Sequence, residues 1–339
     1  MPRHSVPRHS VRGIPRHGPA QTVSDERLRI VTAPPSTWKP LAGLGKASQN
    51  PNMIDLRAVD KAAVHAAFTE AFADYAMSSS GLTEERLLLR MEKNAVDYGL
   101  SVGAYDGGPI VGFTLIGVDS WGGALTAYDA VTGIVPAFRG QGLAQRMFDH
   151  ALPALRERGV ERFSLEVLQQ NEPAISAYQK SGFEITRQLR SYTADAAILS
   201  LSPASADASA WDVQPIGART FALVVQDADW LPSFENRFSA VERISNDVTL
   251  IGAFDGDRCV GVAAYSPPLR WLLALVVCRS HRRRGVGRAL LARVAADLPA
   301  GVTRLAVINV DASDEGMIAF VGALGFGPLV DQFEMARLI

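Results

Sequence analysis

Apolar residues along this chain follow helical spacing and strand alternation by turns, in a fixed order. A short strand at Met53-Ile54-Asp55-Leu56-Arg57 precedes Asp60, a predicted N-cap for a helix through Val64, Phe68, Phe72 and Tyr75. Thr83 and Glu85 open a second helix ahead of Leu87 and Met91. Strands are predicted over 101–105 and 110–116, joined by Asp106-Gly107-Gly108, a hairpin turn. A longer turn over 119–123 carries Asp119 and Trp121 and leads into a strand over 124–135. That strand stops at Pro136. Beyond the glycines of Arg139-Gly140-Gln141-Gly142, an amphipathic helix is drawn by Leu143, Met147, Phe148, Ala151, Leu152 and Leu155. A buried strand over 162–168, a helix over 172–181, Gly182 and two closing strands over 183–192 complete the run.

The order then begins again. Residues 201–210 are rich in Ser and Ala, a linker composition, and Trp211-Asp212-Val213 mirrors Ile54-Asp55-Leu56. Ile251-Gly252-Ala253-Phe254-Asp255-Gly256 repeats Val102-Gly103-Ala104-Tyr105-Asp106-Gly107. Arg282-Arg283-Arg284-Gly285-Val286-Gly287 repeats the glycine loop, and 320–326 repeats 177–183, both at an offset of 143 residues. A tandem duplication follows, with a first domain over 53–200, a linker over 201–210 and a second domain over 211–339. At 339 residues, two domains are also what length predicts.

Composition narrows the setting. Hydrophobic content of 47% and charged content of 20% belong to a globular protein, and a formal net charge of −1 gives no electrostatic reason to expect nucleic acid as a partner. Cys259 and Cys278 lie in apolar, strand-like runs and read as free thiols, which fits a reducing, cytoplasmic location. No apolar run reaches the ~20 residues of a membrane span, so no membrane partner is expected. Residues 1–52 read as a disordered tail: Pro-Arg-His recurs at Pro2, Pro7 and Pro15, and many Arg and Lys face only Asp25 and Glu26. The other readings are a basic arm for an acidic partner, or upstream sequence ahead of a start at Met53. His4, His9 and His17 belong to that low-complexity repeat, and no metal is expected.

Strand, glycine loop and helix together aim backbone N–H groups and a helix N-terminus at one spot, which suits phosphate or pyrophosphate. Gly140 and Gly142 allow close approach, and Arg139 adds a full positive charge nearby. Around this loop the sequence resembles the GCN5-related N-acetyltransferase (GNAT) superfamily. The likeness is carried by Val135-Pro136-x-x-Arg139-Gly140-x-Gly142-Leu143-Ala144, then Leu165-Glu166-Val167, Asn171, Ala174, Tyr178 and Gly182-Phe183. In its second half the first copy is similar to ribosomal-protein alanine acetyltransferases. The resemblance implies an α/β protein of two tandem domains, each a mixed, mostly antiparallel central sheet flanked by helices. It implies acetyl-coenzyme A as cosubstrate, held by Ile134, Val135, Arg139, Gly140, Gln141, Gly142, Leu143, Ala144 and Asn171, with no metal. Backbone groups of Ile134 and Val135 would meet the pantetheine arm and polarise the thioester carbonyl.

Acyl transfer to an amine needs one group to take a proton and another to give one. Glu166, mid-strand among apolar neighbours, has the makings of a desolvated base, and the resemblance has it act through water. It is otherwise one polar residue on an exposed strand face. Tyr178 looks like the general acid for the departing thiolate, or else a tyrosine at the core's edge. Asp129 is a reserve base. In the second copy the matching positions hold Asn309, Asp314 and Val321, so that half reads as a degenerate domain kept for packing, substrate-site walls or ligand sensing. His65 and His150 read as surface or packing residues, and His281 takes the place of Phe138.

The function expected is transfer of acetyl to a primary amine of a small molecule or peptide, by a monomer or homodimer. The rival is a non-catalytic acyl-coenzyme A sensor or assembly module. The acceptor groove is expected between 75–81 and 119–123, with Trp121 and Asp119 available to it.

Overall fold

The computed structural model describes residues 54–72, 83–197 and 211–339. The tail over 1–52, the loop over 75–81 and the linker over 201–210 lie outside the described residues. Asp60 caps α1 (Lys61–Ala71) by accepting from Ala62 N at 3.0 Å. Thr83 caps α2 (Glu84–Lys93), whose first turn is acidic and last turn basic, matching the helix dipole. In α3 (Leu143–Glu157) the residues buried are the six that the helical spacing marks, from Leu143 to Leu155.

The first copy contributes β1 (Asp55–Ala58), β2 (Val102–Tyr105), β3 (Ile110–Trp121), β4 (Ala124–Ile134), β5 (Arg162–Leu168) and β6 (Glu184–Asp195), with α4 (Glu172–Lys180) between the last two. The second contributes β7 (Asp212–Pro215), α5 (Ala218–Val224), α6 (Phe238–Arg243), β8 (Thr249–Asp255), β9 (Arg258–Ser266) and β10 (Trp271–Val277). It closes with α7 (Val286–Asp297), β11 (Arg304–Asp311), α8 (Glu315–Ala323) and β12 (Gly327–Leu338). Among the described residues, β4–β5 and β10–β11 are parallel pairs and the other ladders are antiparallel.

The strand order departs from two separate sheets. It runs β1-β2-β3-β4-β5-β12-β6-β11-β10-β9-β8-β7, a single sheet in which the copies have exchanged their last strands. β12 pairs with β5 of the other copy, and β6 pairs with β11. Between β6 and β12, Glu184 faces Ala336 and Thr193 faces Gly327. Those two pairs are one pair read from each copy, so the junction has the register of a two-fold axis. The two closing strands expected over 183–192 are in fact one strand, and the second ladder partner comes from the other copy.

On one face of the first copy, α3 and α4 cover Phe163, Leu165, Val167 and Phe183; on the other, α1 and α2 cover Phe113 and Leu115. The copies also interlock above the sheet. Leu89 of α2 packs on the second copy's core beside Phe221 and Leu273. In return Phe234, fully buried, stacks on Tyr128 of β4 at 4.6 Å.

Candidate active site

The ladder between β4 and β5 ends at Asp129↔Leu165, after which β4 runs on to Ile134 and β5 to Leu168. A bulge at Ala130 bends β4 at this point. Each arm stays backed by its outer neighbour, β3 to Gly112↔Ile134 and β12 to Gln332↔Leu168. The two strands therefore part in a V.

The glycine loop stands at the mouth of that V. Gly140 and Gly142 have φ of 75° and 72°, and a Cβ on either would meet no protein atom within 4 Å. Glycine is there for the left-handed backbone, and the space before the loop is open. Gly142 is the N-cap of α3, so the amides of Leu143, Ala144 and their neighbours carry the helix's positive end. The Leu143 side chain itself is in the core, and Gln141 donates to Ala137 O at 3.4 Å.

Three predicted contacts are spent locally. Val135 N donates to Val111 O and its carbonyl accepts from Phe138 N, so neither backbone group faces a ligand. Strand alternation leaves the Ile134 N–H toward the V. Arg139 donates from Nε to Ile134 O at 3.1 Å and from Nη2 to Ala71 O at 2.8 Å, tying the loop to α1. Arg282 makes the same two bonds, to Val277 O and Asp227 O, which marks the arginine as a clamp in both copies. Asn171 caps α4, and Asp314 caps α8 in the same way. That shared duty explains the Asn-to-Asp exchange between the copies.

Glu166 and Tyr178 lie on opposite faces of the sheet. Phe163, Leu165 and Val167 point into the core under α3 and α4, against which Tyr178 also packs, so Glu166 points the other way. Glu166 is half-buried as a residue, yet its Oε1 is cut off from solvent, and the hydroxyls of Tyr128 and Ser233 adjoin the carboxylate. Its Oε2 accepts from Asn309 Nδ2 at 2.6 Å. Burial pushes its carboxyl up to about 8, helped by the charges of Glu235 and Glu334 and opposed by Ser233 and Asn309. Tyr178 sits 5.8 Å from Phe148 and 6.0 Å from Phe183, ring to ring, and its hydroxyl donates to Asp129. Asp129 also accepts from Thr132 at 2.7 Å and Thr114 at 3.3 Å, and burial raises it to about 7. A ligand lying in the V would have a carboxylate on one side and a tyrosine–aspartate pair on the other.

The sequence missed what surrounds Glu166. Glu334 is its register partner on β12, and Arg187 grips Glu334 with Nε and Nη2 at 3.0 and 2.8 Å. Ser233, Phe234, Glu235 and Asn236 form a buried turn of the second copy over the same spot. Lys93, fully buried, donates to Glu235 O and lies 3.6 Å from Glu235 Oε1. Burial draws that lysine down to about 8, with Glu235 opposing. Glu235 is held well below the usual carboxylate range: burial works against its charge, but Lys93 and Arg90 outweigh it. No sequence signal ties Ser233 or Glu235 to Glu166, because the link runs through the exchanged strands. One hint existed, the Asn at the position of Glu166 in the repeat.

Asp119 and Trp121 are not free groove residues. Asp119 accepts from Arg237 at 2.7 Å, Ser239 at 3.0 Å and Arg243 at 3.0 Å, and Trp121 Nε1 donates to Pro232 O at 2.8 Å. Both anchor the second copy's turn.

The acetyltransferase (GNAT) family model matches residues 63–183 and 218–326, more than half of the chain. The chain belongs to the acetyltransferase (GNAT) family. Streptothricin acetyltransferase of Streptomyces lavendulae is 37% identical over 76 residues, 22% of this chain and 39% of that protein. Mycothiol acetyltransferase of Propionibacterium freudenreichii subsp. shermanii is 30% identical over 122 residues, 36% and 38% of the two. The chain thus spans less than half the length of these curated relatives. These matches show the family; the finer resemblance to ribosomal-protein alanine acetyltransferases is not shown by them. A tandem GNAT protein from the clavulanic acid biosynthesis pathway superposes with a TM-score of 0.60 at 17% identity, covering 84% of this chain and 98% of that one. At that identity the likeness concerns the fold.

GNAT proteins take acetyl-coenzyme A as cosubstrate, and the first copy's residues fit it. An open glycine loop on a helix N-terminus suits the pyrophosphate, and the Ile134 N–H faces the gap where an extended arm would lie. The second GNAT copy keeps part of this frame: β10 and β11 pair only at Trp271↔Ala306 and Leu272↔Val307, and Gly285 has a φ of 86°. Arg283 holds the left-handed conformation of Gly140 without being glycine, with a φ of 60°. At the positions of Glu166 and Tyr178 it has Asn309, engaged with Glu166, and Val321, a buried aliphatic.

Proposed function

We propose that the first copy transfers acetyl from acetyl-coenzyme A to a primary amine, with Glu166 as base and Tyr178 as acid. One observation carries the reading above the others: a desolvated carboxylate sits beside the parting of β4 and β5. Acetyl-coenzyme A supplies the activated acyl group. The Gly140–Ala144 amides hold its phosphates, and the Ile134 N–H polarises the carbonyl.

An amine arrives as an ammonium and is unreactive until it loses a proton. Glu166, with a proton affinity raised to about 8, is matched to take it, directly or through a water. The amine nitrogen then forms a bond to the acyl carbon as the carbon–sulfur bond breaks. Tyr178 on the far face gives its hydroxyl proton to the sulfur; the second proton, shed by the nitrogen as it becomes an amide, passes to solvent water, from which the tyrosinate is reprotonated, and Asp129 keeps that side chain in place. The second copy performs no chemistry in this reading and serves as wall and strand donor to the first.

The test is release of free thiol from acetyl-coenzyme A with a panel of small amines and peptides, with acetylated product confirmed by mass. Turnover that falls at least a hundredfold in Glu166→Gln is expected. Tight coenzyme binding with no turnover on any acceptor would favour the sensor reading instead.

A further inference from the structure

The second copy's turn over Glu166 is fastened, residue by residue, to elements of both copies. Ser233 Oγ, fully enclosed, accepts from Asn309 Nδ2 at 3.2 Å, and the same amide reaches Glu166 Oε2 at 2.6 Å. Phe234 stacks on Tyr128 of β4, whose hydroxyl adjoins Glu166. Glu235 takes Arg90 Nη2 at 3.1 Å and Asn94 Nδ2 at 3.3 Å on one oxygen, with Lys93 Nζ 3.6 Å from it. Asn236 Nδ2 donates to Ile308 O of β11 at 2.7 Å. Arg237, next in the chain, donates to Phe234 O at 2.6 Å and to Asp119 at 2.7 Å. The turn cannot shift without breaking contacts on both copies.

Packing alone does not call for a serine and a glutamate here. Taking a carboxylate out of water is costly, and apolar residues often replace a buried ion pair without loss. What the two residues share is Glu166. The Asn309 amide uses one N–H on Glu166 and the other on Ser233 Oγ, so the serine's single proton is left for the carboxylate that it adjoins. That contact favours the charged form of Glu166. Glu235 acts in the opposite sense, since its own charge makes a second one nearby harder to hold. The remaining charged groups come from four other elements. Lys93 and Arg90 of α2 share Glu235 and also act on Glu166, favouring its charge. Glu334 of β12 opposes that charge, while Arg187 of β6 is divided between Glu334 and Asp311 of β11. Arg237 is matched by Asp119. Among these charges Glu235 bears on Glu166 most strongly.

We infer that Ser233 and Glu235 of the second copy are positioning residues for the base of the first, the serine orienting the Glu166 carboxylate and the glutamate strengthening it as a base. The inference rests on the acyl-transfer reading and deepens it. Neither residue touches the reacting atoms; both act through Glu166. The second copy then has a duty beyond wall and strand donor, carried by one short turn that enters the first.

The experiment follows the Glu166 carboxyl in the full chain by ¹³C NMR against pH, with its signal assigned by loss in Glu166→Gln. The midpoint is set beside the break in kcat/KM for amine acetylation. Ser233→Ala removes a donor to the charged form and should raise the midpoint, and Glu235→Gln removes the opposing charge and should lower it, each by about one pH unit. The break in kcat/KM should follow. A turn that only packs would give no such opposite pair: loosening it lowers thermal stability or kcat and lets water in, which moves both midpoints the same way. Ser233→Ala is a small change and decides by itself if Glu235→Gln does not fold. A midpoint unmoved or lowered in Ser233→Ala overturns the inference, as does one unmoved or raised in folded Glu235→Gln. If these midpoints stay put while the wild-type break matches Glu166, the inference fails and the acyl-transfer reading stands. If the midpoints move and the break does not, Glu166 is not the base, and the reading fails together with the inference.

Discussion

Asn309 Nδ2 lies 2.6 Å from Glu166 Oε2, and the two residues occupy the same position in the two copies of the repeat. One copy supplies the carboxylate and the other holds it. The substitution that makes the second copy look disabled is also what lets it serve the first: a second glutamate there would face Glu166 across the junction and repel it.

The rate should carry the signature of this carboxylate. With Glu166 raised to about 8, kcat/KM for the amine should climb about tenfold per pH unit below that value and level above it. Asn309→Gly removes a bond to the charged form, so the break should move to higher pH. Steady-state rates between pH 6 and 10 decide this.

Stability should show the same group with its sign reversed from the usual carboxylate. The folded-state affinity is raised, so from about 4.5 to about 8 the folded protein holds a proton that the unfolded chain has released. Stability contributed by this site is full below that window and is lost as pH rises through it. Glu166→Gln should flatten this slope in denaturant unfolding measured across the window.

Tyr178→Phe keeps the ring packed near Phe148 and Phe183 and removes only the hydroxyl on Asp129. Thermal unfolding should shift by a few degrees at most, whereas kcat should fall on the order of a hundredfold. A loss confined to KM for the coenzyme would assign the tyrosine to binding.

Much of the fold was legible because local signals agreed. Asp60, Thr83 and the six apolar positions of α3 settle where helices lie, and the 143-residue offset reveals the duplication. The exchange of β6 and β12 left no such trace. Alternation along a strand says which face is buried and nothing about which copy the neighbouring strand belongs to. The site divides the same way. Gly140, Gly142, Glu166 and Tyr178 are readable from the loop outward, and Glu235, Ser233 and the true duty of Asn309 are not, since they meet Glu166 only through the exchange. Asp119 and Trp121 were visible as special residues, but their partners Arg237 and Pro232 lie in the other copy.

Exchanged strands make the copies one folding unit. Residues 54–200 alone would leave β5 without β12, and 211–339 alone would leave β11 without β6. Neither piece is expected to unfold cooperatively as a monomer, while the two produced together should associate and regain activity. Calorimetry of the pieces, alone and mixed, checks this.

The turn over Glu166 depends on Phe234, fully buried and stacked on Tyr128. Phe234→Ala should cost about 3–5 kcal/mol in denaturant unfolding and lower activity on the first copy's substrate, though the residue belongs to the second.

The base chemistry proposed for the first copy stands or falls with Glu166. Its most direct test is thiol release from acetyl-coenzyme A near pH 8.5, with the best amine of the panel, by the wild type and by Glu166→Gln. A loss of about 10² to 10⁴ in kcat is expected, with coenzyme affinity little changed. Wild-type turnover by Glu166→Gln would contradict it.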